Sequence, residues 1–195
     1  MRNYPWTSLA NTATIGANTI TVQDPVDWKV GEEIVIASTS FDHYEAERRT
    51  ITAVSGTTVT LNASLIHQHF AGVENYGTDK VEMRAEVALL TRNIKVTGDP
   101  SSQQNNYGAH LMMAGSAENG LVANIAYTEF FNCGQPRIIG RYCIHFHMNG
   151  DVSDSYVRGN AVHDSMARVV TLHGVHFLTV EHNVGYNVKG HNFFV

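Results

Sequence analysis

The chain has 195 residues, of which 43% are hydrophobic and 16% are charged, and this length suffices for one sizeable core or two small ones. Its formal net charge is −5 and it contains no Lys/Arg block, which excludes a nucleic-acid surface because phosphate contacts need clustered basic residues. No apolar run approaches the roughly 18 residues of a membrane span, and Met1–Ala10 lacks the apolar core of a signal peptide. We therefore expect no membrane contact by this segment, with any targeting sequence outside a chain that is itself a fragment.

The first part of the chain predicts β-structure. Stretches rich in β-branched residues alternate with Gly, Pro and Asp turns, which is typical of a small antiparallel sheet or barrel. These stretches are Thr19–Val22, Trp28–Ala37, Arg49–Val54 and Thr58–Leu61. The last two flank Ser55-Gly56-Thr57 and predict a hairpin. A poorly patterned connection follows at 67–86, so we place a domain boundary near residue 80, giving a small β segment at 1–80. Asn62-Ala63-Ser64 is a glycosylation sequon.

The remainder, 81–195, contains a repeated pattern of an Asn followed by a small or β-branched apolar residue. The Asn positions are Asn93, Asn124, Asn160 and Asn183. Their spacings are 124 − 93 = 31, 160 − 124 = 36 and 183 − 160 = 23. A period of roughly 20–30 residues with short strands is typical of a parallel β-helix, in which stacked Asn amides hydrogen-bond up the stack. The alternative is chance similarity among Asn-rich loops.

A second strand repeats with the Asn pattern. Its copies are His110-Leu111-Met112, His145-Phe146-His147, Thr171-Leu172-His173 and Asn192-Phe193-Phe194. The apolar middle column predicts an inward face, and strand alternation then places His145, His147, Thr171 and His173 on one exterior face. His147 and His173 are expected to be stacked neighbours about 5 Å apart at the backbone. The fold class predicted is all-β: a small β domain, then about four coils of a right-handed parallel β-helix, a pectin-lyase-like solenoid.

Histidine is the unusual component of this composition. The chain has 11 His, and seven of them fall between His145 and His191. A His-x-His pair on one strand with a third His from the next coil predicts a divalent metal site, for Zn²⁺ or Ca²⁺. The expected ligands are His145, His147 and His173, with Asp151 or His163 completing the set. The alternative is that these side chains hydrogen-bond to loops above the sheet.

The same face could support cleavage of a glycan. A His would serve as general acid or base, and an Arg would bind a uronate carboxylate. The candidate catalytic residues are His145, His147, Arg141, His163 and Arg168. Either Arg could instead form an ordinary salt bridge. The paired carboxylates of glycoside hydrolases are hard to place, because Asp151, Asp154 and Asp164 all lie in loop-like sequence.

Cys133 and Cys143 permit at most one disulfide. They are ten residues apart and flank a Gly-Gln-Pro loop, so a bridge and two buried thiols both stay open. Their spacing does not suit a Cys-based metal site.

Several motifs together resemble a known family. They are Gly140-Arg141-Tyr142-x-Ile144-His145-Phe146-His147-x-x-Gly150-Asp151, Ser155–His163, Val170–Gly174 and Gly190-His191-x-Phe193-Phe194. They resemble the right-handed β-helix of the fibrocystin-L and hyaluronan-depolymerising (CEMIP-type) cell-surface proteins, and Asp27–Thr39 looks like the segment of those proteins next to a "G-eight" domain. The resemblance covers about Trp6 to Val195. Cys143 stands where the family usually has Pro, and the acidic segment expected after Phe194 is missing.

The resemblance implies two functions of different class. The first is an extracellular module that binds a hyaluronan-like polysaccharide and could depolymerise it as a hyaluronidase or lyase. The second is a non-catalytic structural or adhesive segment of a large cell-surface protein, which the short link Asp151–Tyr156 favours because it looks more like the fibrocystin-L branch. The expected partner is accordingly a polysaccharide or a cell-surface protein, and the oligomeric state stays open.

Overall fold

A computed structural model describes residues 3–195; Met1 and Arg2, where the predicted β segment begins, lie outside the described residues. The described chain is built from β-strands, with one short α-helix, α1 (Ser102–Asn105), and two single-turn 3₁₀ segments, His43–Glu45 and Ala117–Asn119. It forms two compact units, one up to Thr91 and one at Arg92–Val195. Each unit has a hydrophobic cluster of its own.

The first unit is an antiparallel sheet with a separate hairpin. Its strands are β1 (Trp6–Ser8), β2 (Thr19–Thr21), β3 (Glu33–Ile36), β4 (Glu47–Ser55), β5 (Thr58–Leu61), β6 (Val73–Tyr76), β7 (Asp79–Glu82) and β8 (Glu86–Leu89). The main sheet has the order β1-β8-β3-β4-β5-β2, and β6 pairs only with β7. The predicted hairpin is present as β4–β5, with Gly56 at φ 61° in the turn.

Strand β8 explains why the division after Thr91 differs from the boundary near residue 80. Val87 and Ala88 look like the start of a coil in the sequence, yet β8 pairs antiparallel with β1 and β3 of the first unit. An apolar strand pattern predicts that one face of the strand is buried, but it does not predict which strand it pairs with.

The second unit is a parallel β-helix. Its strands are β9 (Ile94–Thr97), β10 (Leu111–Ala114), β11 (Asn124–Ala126), β12 (Thr128–Phe131), β13 (Ile144–Asp151), β14 (Tyr156–Arg158), β15 (Ala161–Ser165), β16 (Val170–His176), β17 (Thr179–Glu181), β18 (Val184–Val188) and β19 (Phe193–Phe194). They form three parallel sheets: β10-β13-β16-β19, β11-β14-β17 and β9-β12-β15-β18. Each strand pairs with its counterpart in the next coil, and the inward side chains of all three sheets form one apolar core.

Pairing along one sheet measures the length of the coils. Ile94 pairs with Thr128, Glu129 with Ala161, and Ala161 with Val184. The coils are therefore 128 − 94 = 34, 161 − 129 = 32 and 184 − 161 = 23 residues long. The first two exceed the period of roughly 20–30 residues expected for the solenoid, because they carry longer loops between strands.

The predicted Asn ladder is present at its last two members and wrong at the first two. Asn160 is fully buried and its Nδ2 donates to Asn183 Oδ1 at 2.9 Å. Asn124 instead lies opposite Tyr156 in a different sheet, and Thr128, the first residue of β12, stands at the level of Asn160. Asn93 lies one residue before the position of β9 that is level with Thr128 and Asn160, which is Ile94. Loops of unequal length shift the Asn positions relative to the strands.

The corner just before the β12–β15–β18 strands needs a left-handed residue in each coil. Tyr127, Gly159 and His182 have φ of 52°, 64° and 54° there. A Cβ on Gly159 would lie 2.6 Å from Tyr127 Cε1, so the close approach of the coils adds a second reason for glycine at this corner.

The register of the histidine-bearing sheet is confirmed in its centre. His145 pairs with Thr171 and His147 with His173, as predicted. At the ends the predicted register is wrong by two residues: Met113, and not Leu111, pairs with Phe146, and Phe193 pairs with Val170. Because side chains alternate with period two, a shift of two leaves every residue on its predicted face.

Candidate functional site

Three histidines converge on the outward side of strands β13 and β16. One ring nitrogen from each of His145, His147 and His173 lies within 4.8 Å of the others. The Nδ1 atoms of His147 and His173 are 3.2 Å apart, and the ring centroid of His147 is 5.1 Å from those of both other histidines. The His-x-His spacing on β13 and the parallel pairing with β16 produce this convergence, since residues i and i+2 of a strand share a face.

His145 is far less exposed than an exterior strand face predicts. It is 2% exposed, and the loop residues Gly140 and Tyr142 lie against its ring. Its Nδ1 donates to the Gly140 carbonyl at 2.8 Å, which leaves Nε2 as the unprotonated nitrogen of the neutral ring. That Nε2 is buried without a hydrogen-bond partner among the described residues.

The surroundings of His145 favour its neutral form. Burial lowers the pKa of His145 below its ordinary 6.5, and the positive charges of His147, His173 and Arg168 lower it further, against the hydrogen bond to Gly140. A neutral imidazole with a free Nε2 is the form that ligates metals.

The loop that covers His145 is anchored at both ends. Cys133 and Cys143 form a disulfide, which settles the two alternatives open in the sequence. Within the loop Arg141 donates to Gln135 Oε1 at 2.6 Å and to the Tyr107 hydroxyl at 3.2 Å. Arg141, a candidate catalytic residue, thus makes contacts that hold this loop together.

Arg168 lies beside the histidines on an aromatic support. Its guanidinium carbon is 3.6 Å from the ring centroid of Phe194 and 5.0 Å from that of Tyr142. The Tyr142 ring is in turn 5.0 Å from the ring of His145. Among residues 3–195 no Asp or Glu forms an ion pair with Arg168. The aromatic support from Tyr142 and Phe194 was not predicted, although aromatic residues adjoining a histidine motif are a signal for it.

The structure does not bring His163 into this cluster. His163 is on β15, in the β9-β12-β15-β18 sheet, and its Nδ1 is 2.8 Å from Asp164 Oδ2. Its Nε2 is 3.3 Å from Glu129 Oε1, and its ring stacks on Phe131. The interval from β13 to β15 carries the chain around a corner of the solenoid, so the sequence proximity of His163 and His145 does not place them on one face.

Asp151 is also separate from the three histidines. It ends strand β13, beyond an irregularity in the pairing between His147 and Gly150, and it lies opposite His176. Its Oδ1 accepts the N–H of Ser153 at 3.0 Å. The metal-type group found in the described part of the chain consists of His145, His147 and His173 alone.

Glu129 is a buried acid that no sequence motif indicated. Burial raises its pKa, but hydrogen bonds from His163, the Arg92 N–H and Lys95 outweigh burial and hold the pKa below its ordinary 4.5. Its carboxylate is therefore charged, and it links its own strand β12 to Lys95 on β9 and His163 on β15 through hydrogen bonds.

Comparison with known proteins shows where this chain belongs. Residues 106–195 match the family model described as CEMIP beta-helix. Mouse fibrocystin-L is 36% identical over 97% of this chain, which spans 5% of that relative. A G8 domain-containing protein of Dictyostelium discoideum is also 36% identical over 97% of the chain, which spans 16% of it. Human cell surface hyaluronidase CEMIP2 is 31% identical over 89% of the chain, which spans 14% of it.

Similar solved structures include phage tailspikes. The tailspike gp61 of Pseudomonas phage phi297 is 12% identical, with a TM-score of 0.37. The match covers 95% of this chain and 31% of the tailspike chain. The Gp54 tailspike of Acinetobacter baumannii bacteriophage AP22, solved with a capsular saccharide, is 12% identical, with a TM-score of 0.32. The match covers 93% of this chain and 33% of the tailspike chain.

No helix in residues 3–195 is long and apolar enough to cross a membrane. The second unit has the architecture of a parallel β-helix. Residues 106–195 therefore match the CEMIP beta-helix family model, and the chain is a homologue of a region of fibrocystin-L, the G8 domain-containing proteins and CEMIP2.

Proposed function

We propose that this chain binds an acidic, hyaluronan-like polysaccharide on the outward face of the β10-β13-β16-β19 sheet, as part of an extracellular or cell-surface protein. The observation that carries the proposal is Arg168, a cation without an acidic partner among residues 3–195 that lies over Phe194 and Tyr142. Nη1 of Arg168 lies 3.5 Å from the Tyr142 hydroxyl, a long hydrogen bond. A guanidinium whose face contacts aromatic rings presents its remaining N–H groups to a carboxylate, which it binds with two parallel hydrogen bonds.

The substrate class follows from the chemistry of that edge. A uronate sugar presents one planar carboxylate per residue and an apolar ring face, which suits an Arg beside the half-buried aromatic rings of Tyr142 and Phe194. Where the loop 133–143 does not cover it, the outward face of this sheet offers an extended surface for a long chain. The human relative CEMIP2 bears the name of a hyaluronidase, which supports hyaluronan as the first polysaccharide to test.

Depolymerisation is the enzymatic form of this proposal. Removing the proton on the carbon next to a uronate carboxylate requires a base and neutralisation of the carboxylate charge. The electron pair then forms a carbon–carbon double bond, the adjacent glycosidic C–O bond breaks, and the leaving oxygen takes a proton from water. His147 is the half-buried member of the histidine cluster and would act as the base, with Arg168 holding the carboxylate. Arg141 would contribute only by holding the loop.

A second candidate is a non-enzymatic adhesive or structural role. The similarity to mouse fibrocystin-L, of which this chain spans 5%, favours it. In this case the same face would bind a polysaccharide or a surface protein without cleaving it.

Binding is tested with the intact 195-residue chain and immobilised hyaluronan, with neutral dextran as the uncharged polymer. Arg168→Ala should weaken hyaluronan binding by about tenfold or more, since charge-assisted bonds are worth roughly 1.5–3 kcal/mol. The matched control is Arg158→Ala: Arg158 also lies over an aromatic ring, Tyr156 at 4.9 Å, but on another sheet and paired with Glu181. Equal binding by wild type and Arg168→Ala, or equal binding of dextran, would refute the proposal.

Cleavage is tested by following hyaluronan chain length by light scattering. Shortening by wild type and its loss in His147→Ala would support the enzymatic form. Binding that depends on Arg168 without any shortening would leave the adhesive form.

A further inference from the structure

We infer that His145, His147 and His173 form a three-histidine site for a zinc-class divalent cation on the outside of the β-helix. The inference stands apart from polysaccharide binding, which depends on Arg168. It is an alternative to the role of His147 as a base, because a ring nitrogen that ligates a metal has no lone pair left to accept a proton.

The spacing of the nitrogens suits a tetrahedral ion. Zinc-to-nitrogen bonds of about 2.0–2.1 Å at tetrahedral angles place two ligand nitrogens about 3.3 Å apart. The Nδ1 atoms of His147 and His173 are 3.2 Å apart, so this edge of the tetrahedron is already formed. One ring nitrogen from each of the three residues lies within 4.8 Å of the others. Ring shifts of about 1.5 Å or less, which small changes in the side-chain torsions supply, therefore bring the three to tetrahedral spacing.

The unsatisfied nitrogen of His145 points to a ligand. His145 is 2% exposed, and its Nε2 has no hydrogen-bond partner among the described residues. A buried nitrogen lone pair without a partner is costly. A metal ion shared with His147 and His173 satisfies it, and the same ion replaces the hydrogen bond between the Nδ1 atoms of those two residues.

The groups behind His145 have the arrangement expected around a metal ligand. The Gly140 carbonyl accepts the Nδ1 proton at 2.8 Å and so selects the tautomer with Nε2 free. Gly140 is held by a loop that the Cys133–Cys143 disulfide closes and the Gln135–Arg141 hydrogen bond braces. Ligands on two paired strands, with one orientation fixed by a braced loop, form a preorganised site.

The ligand set selects the class of metal. Three imidazole nitrogens suit Zn²⁺ and its neighbours Co²⁺, Ni²⁺ and Cu²⁺, whereas Ca²⁺ and Mg²⁺ require oxygen ligands. Of the two cations expected from the sequence, the geometry therefore favours zinc. Neither Asp151 nor His163 reaches the cluster, so three protein ligands leave the fourth position to water or a ligand oxygen, the pattern of zinc sites that act on a bound molecule.

The test uses the intact chain after removal of metals with a chelator. Zn²⁺ affinity is measured by competition with a chromophoric chelator, and Co²⁺ is added as a spectroscopic probe. We expect one Zn²⁺ per chain, intense visible absorption from tetrahedral Co²⁺, and no competition by millimolar Ca²⁺. His147→Ala and His173→Ala should each weaken Zn²⁺ binding by at least the roughly 10–100-fold that loss of an outer-shell partner costs.

The control is His176→Ala, an exposed residue at the end of the same strand β16 that lies outside the cluster; it should bind Zn²⁺ as wild type does. Circular dichroism of the two ligand variants checks that they fold, which is expected because neither residue is buried. Zn²⁺ binding that survives both ligand substitutions, or that His176→Ala abolishes, would overturn the inference. If the chain fails to bind Zn²⁺ but still binds hyaluronan through Arg168, the proposed function stands without the metal site. If it binds Zn²⁺ through the histidines but does not bind hyaluronan, the metal site stands without the proposed function.

Discussion

Asn160 should be among the most important polar residues for the stability of the β-helix. Its fully buried side chain makes three hydrogen bonds: it accepts from the Thr128 N–H at 3.0 Å and donates to the Ile125 carbonyl at 3.0 Å and to Asn183 Oδ1 at 2.9 Å. Asn160→Ala removes all three and leaves the backbone groups of two neighbouring coil positions without partners. At about 1 kcal/mol for each hydrogen bond, the free energy of unfolding should fall by about 3 kcal/mol.

The matched control is Asn124→Ala. The repeat in the sequence places Asn124 in the same ladder, whereas the structure exposes it on β11 opposite Tyr156. An exposed substitution of this kind should change the free energy of unfolding by no more than about 0.5 kcal/mol. The two variants therefore distinguish the register of the structure from the register suggested by the repeat.

Urea unfolding followed by far-ultraviolet circular dichroism measures the loss, with tryptophan fluorescence as an internal reference. The chain has two Trp, and both Trp6 and Trp28 lie in the first unit, so their fluorescence reports on that unit. Asn160→Ala should shift the dichroism transition more than the fluorescence transition. Equal losses for Asn124→Ala and Asn160→Ala, or a loss below about 1 kcal/mol for Asn160→Ala, would contradict the hydrogen-bond reasoning.

Three further predictions concern acid stability, the disulfide and modification. Burial raises the pKa of Glu47, but hydrogen bonds from the N–H groups of residues 66 and 67 and from His69, with the charge of Arg49, outweigh it and hold the pKa below its ordinary 4.5. The charged carboxylate of Glu47 therefore stabilises the fold above pH 4.5, and this stabilisation is lost as the pH falls through the lowered pKa of the folded state. Glu47→Gln lacks the titrating group, so its Trp fluorescence should change less on acidification than that of the wild type. Replacing Cys133 and Cys143 by Ser should lower the free energy of unfolding by about 2–3 kcal/mol in urea titrations, the cost expected for a closed loop of this size; an unchanged midpoint would contradict this. Asn62 is exposed, and its Oδ1 accepts the Thr50 N–H at 2.9 Å, while its Nδ2 has no hydrogen bond to residues 3–195. A chain secreted from a eukaryotic host should therefore lose mass on treatment with a glycosidase, while Asn62→Gln should not.

Which face each strand residue occupies follows from the sequence alone. Phe146 lies inward and His145 and His147 lie outward because side chains alternate with period two, a local property of the backbone. The adjacency of His147 and His173 was also predictable, since Phe146 and Leu172 align as the apolar residue of neighbouring copies and this pairing is found. The family resemblance likewise depended on short motifs and is confirmed by the comparisons.

The tertiary structure decided what depends on the path between strands. Loop lengths moved Asn124 out of the Asn ladder and carried His163 to a different sheet, because the pairing partner of a strand depends on how far the intervening chain travels. The burial of His145 under Gly140 and the placement of Arg168 over Phe194 join residues from separate loops and strands, and strand periodicity carries no information about such contacts. Sequence alone thus determined a face with three histidines, and the fold determined that one of them is buried, oriented and left with a free nitrogen, because only packing in three dimensions can cover a strand.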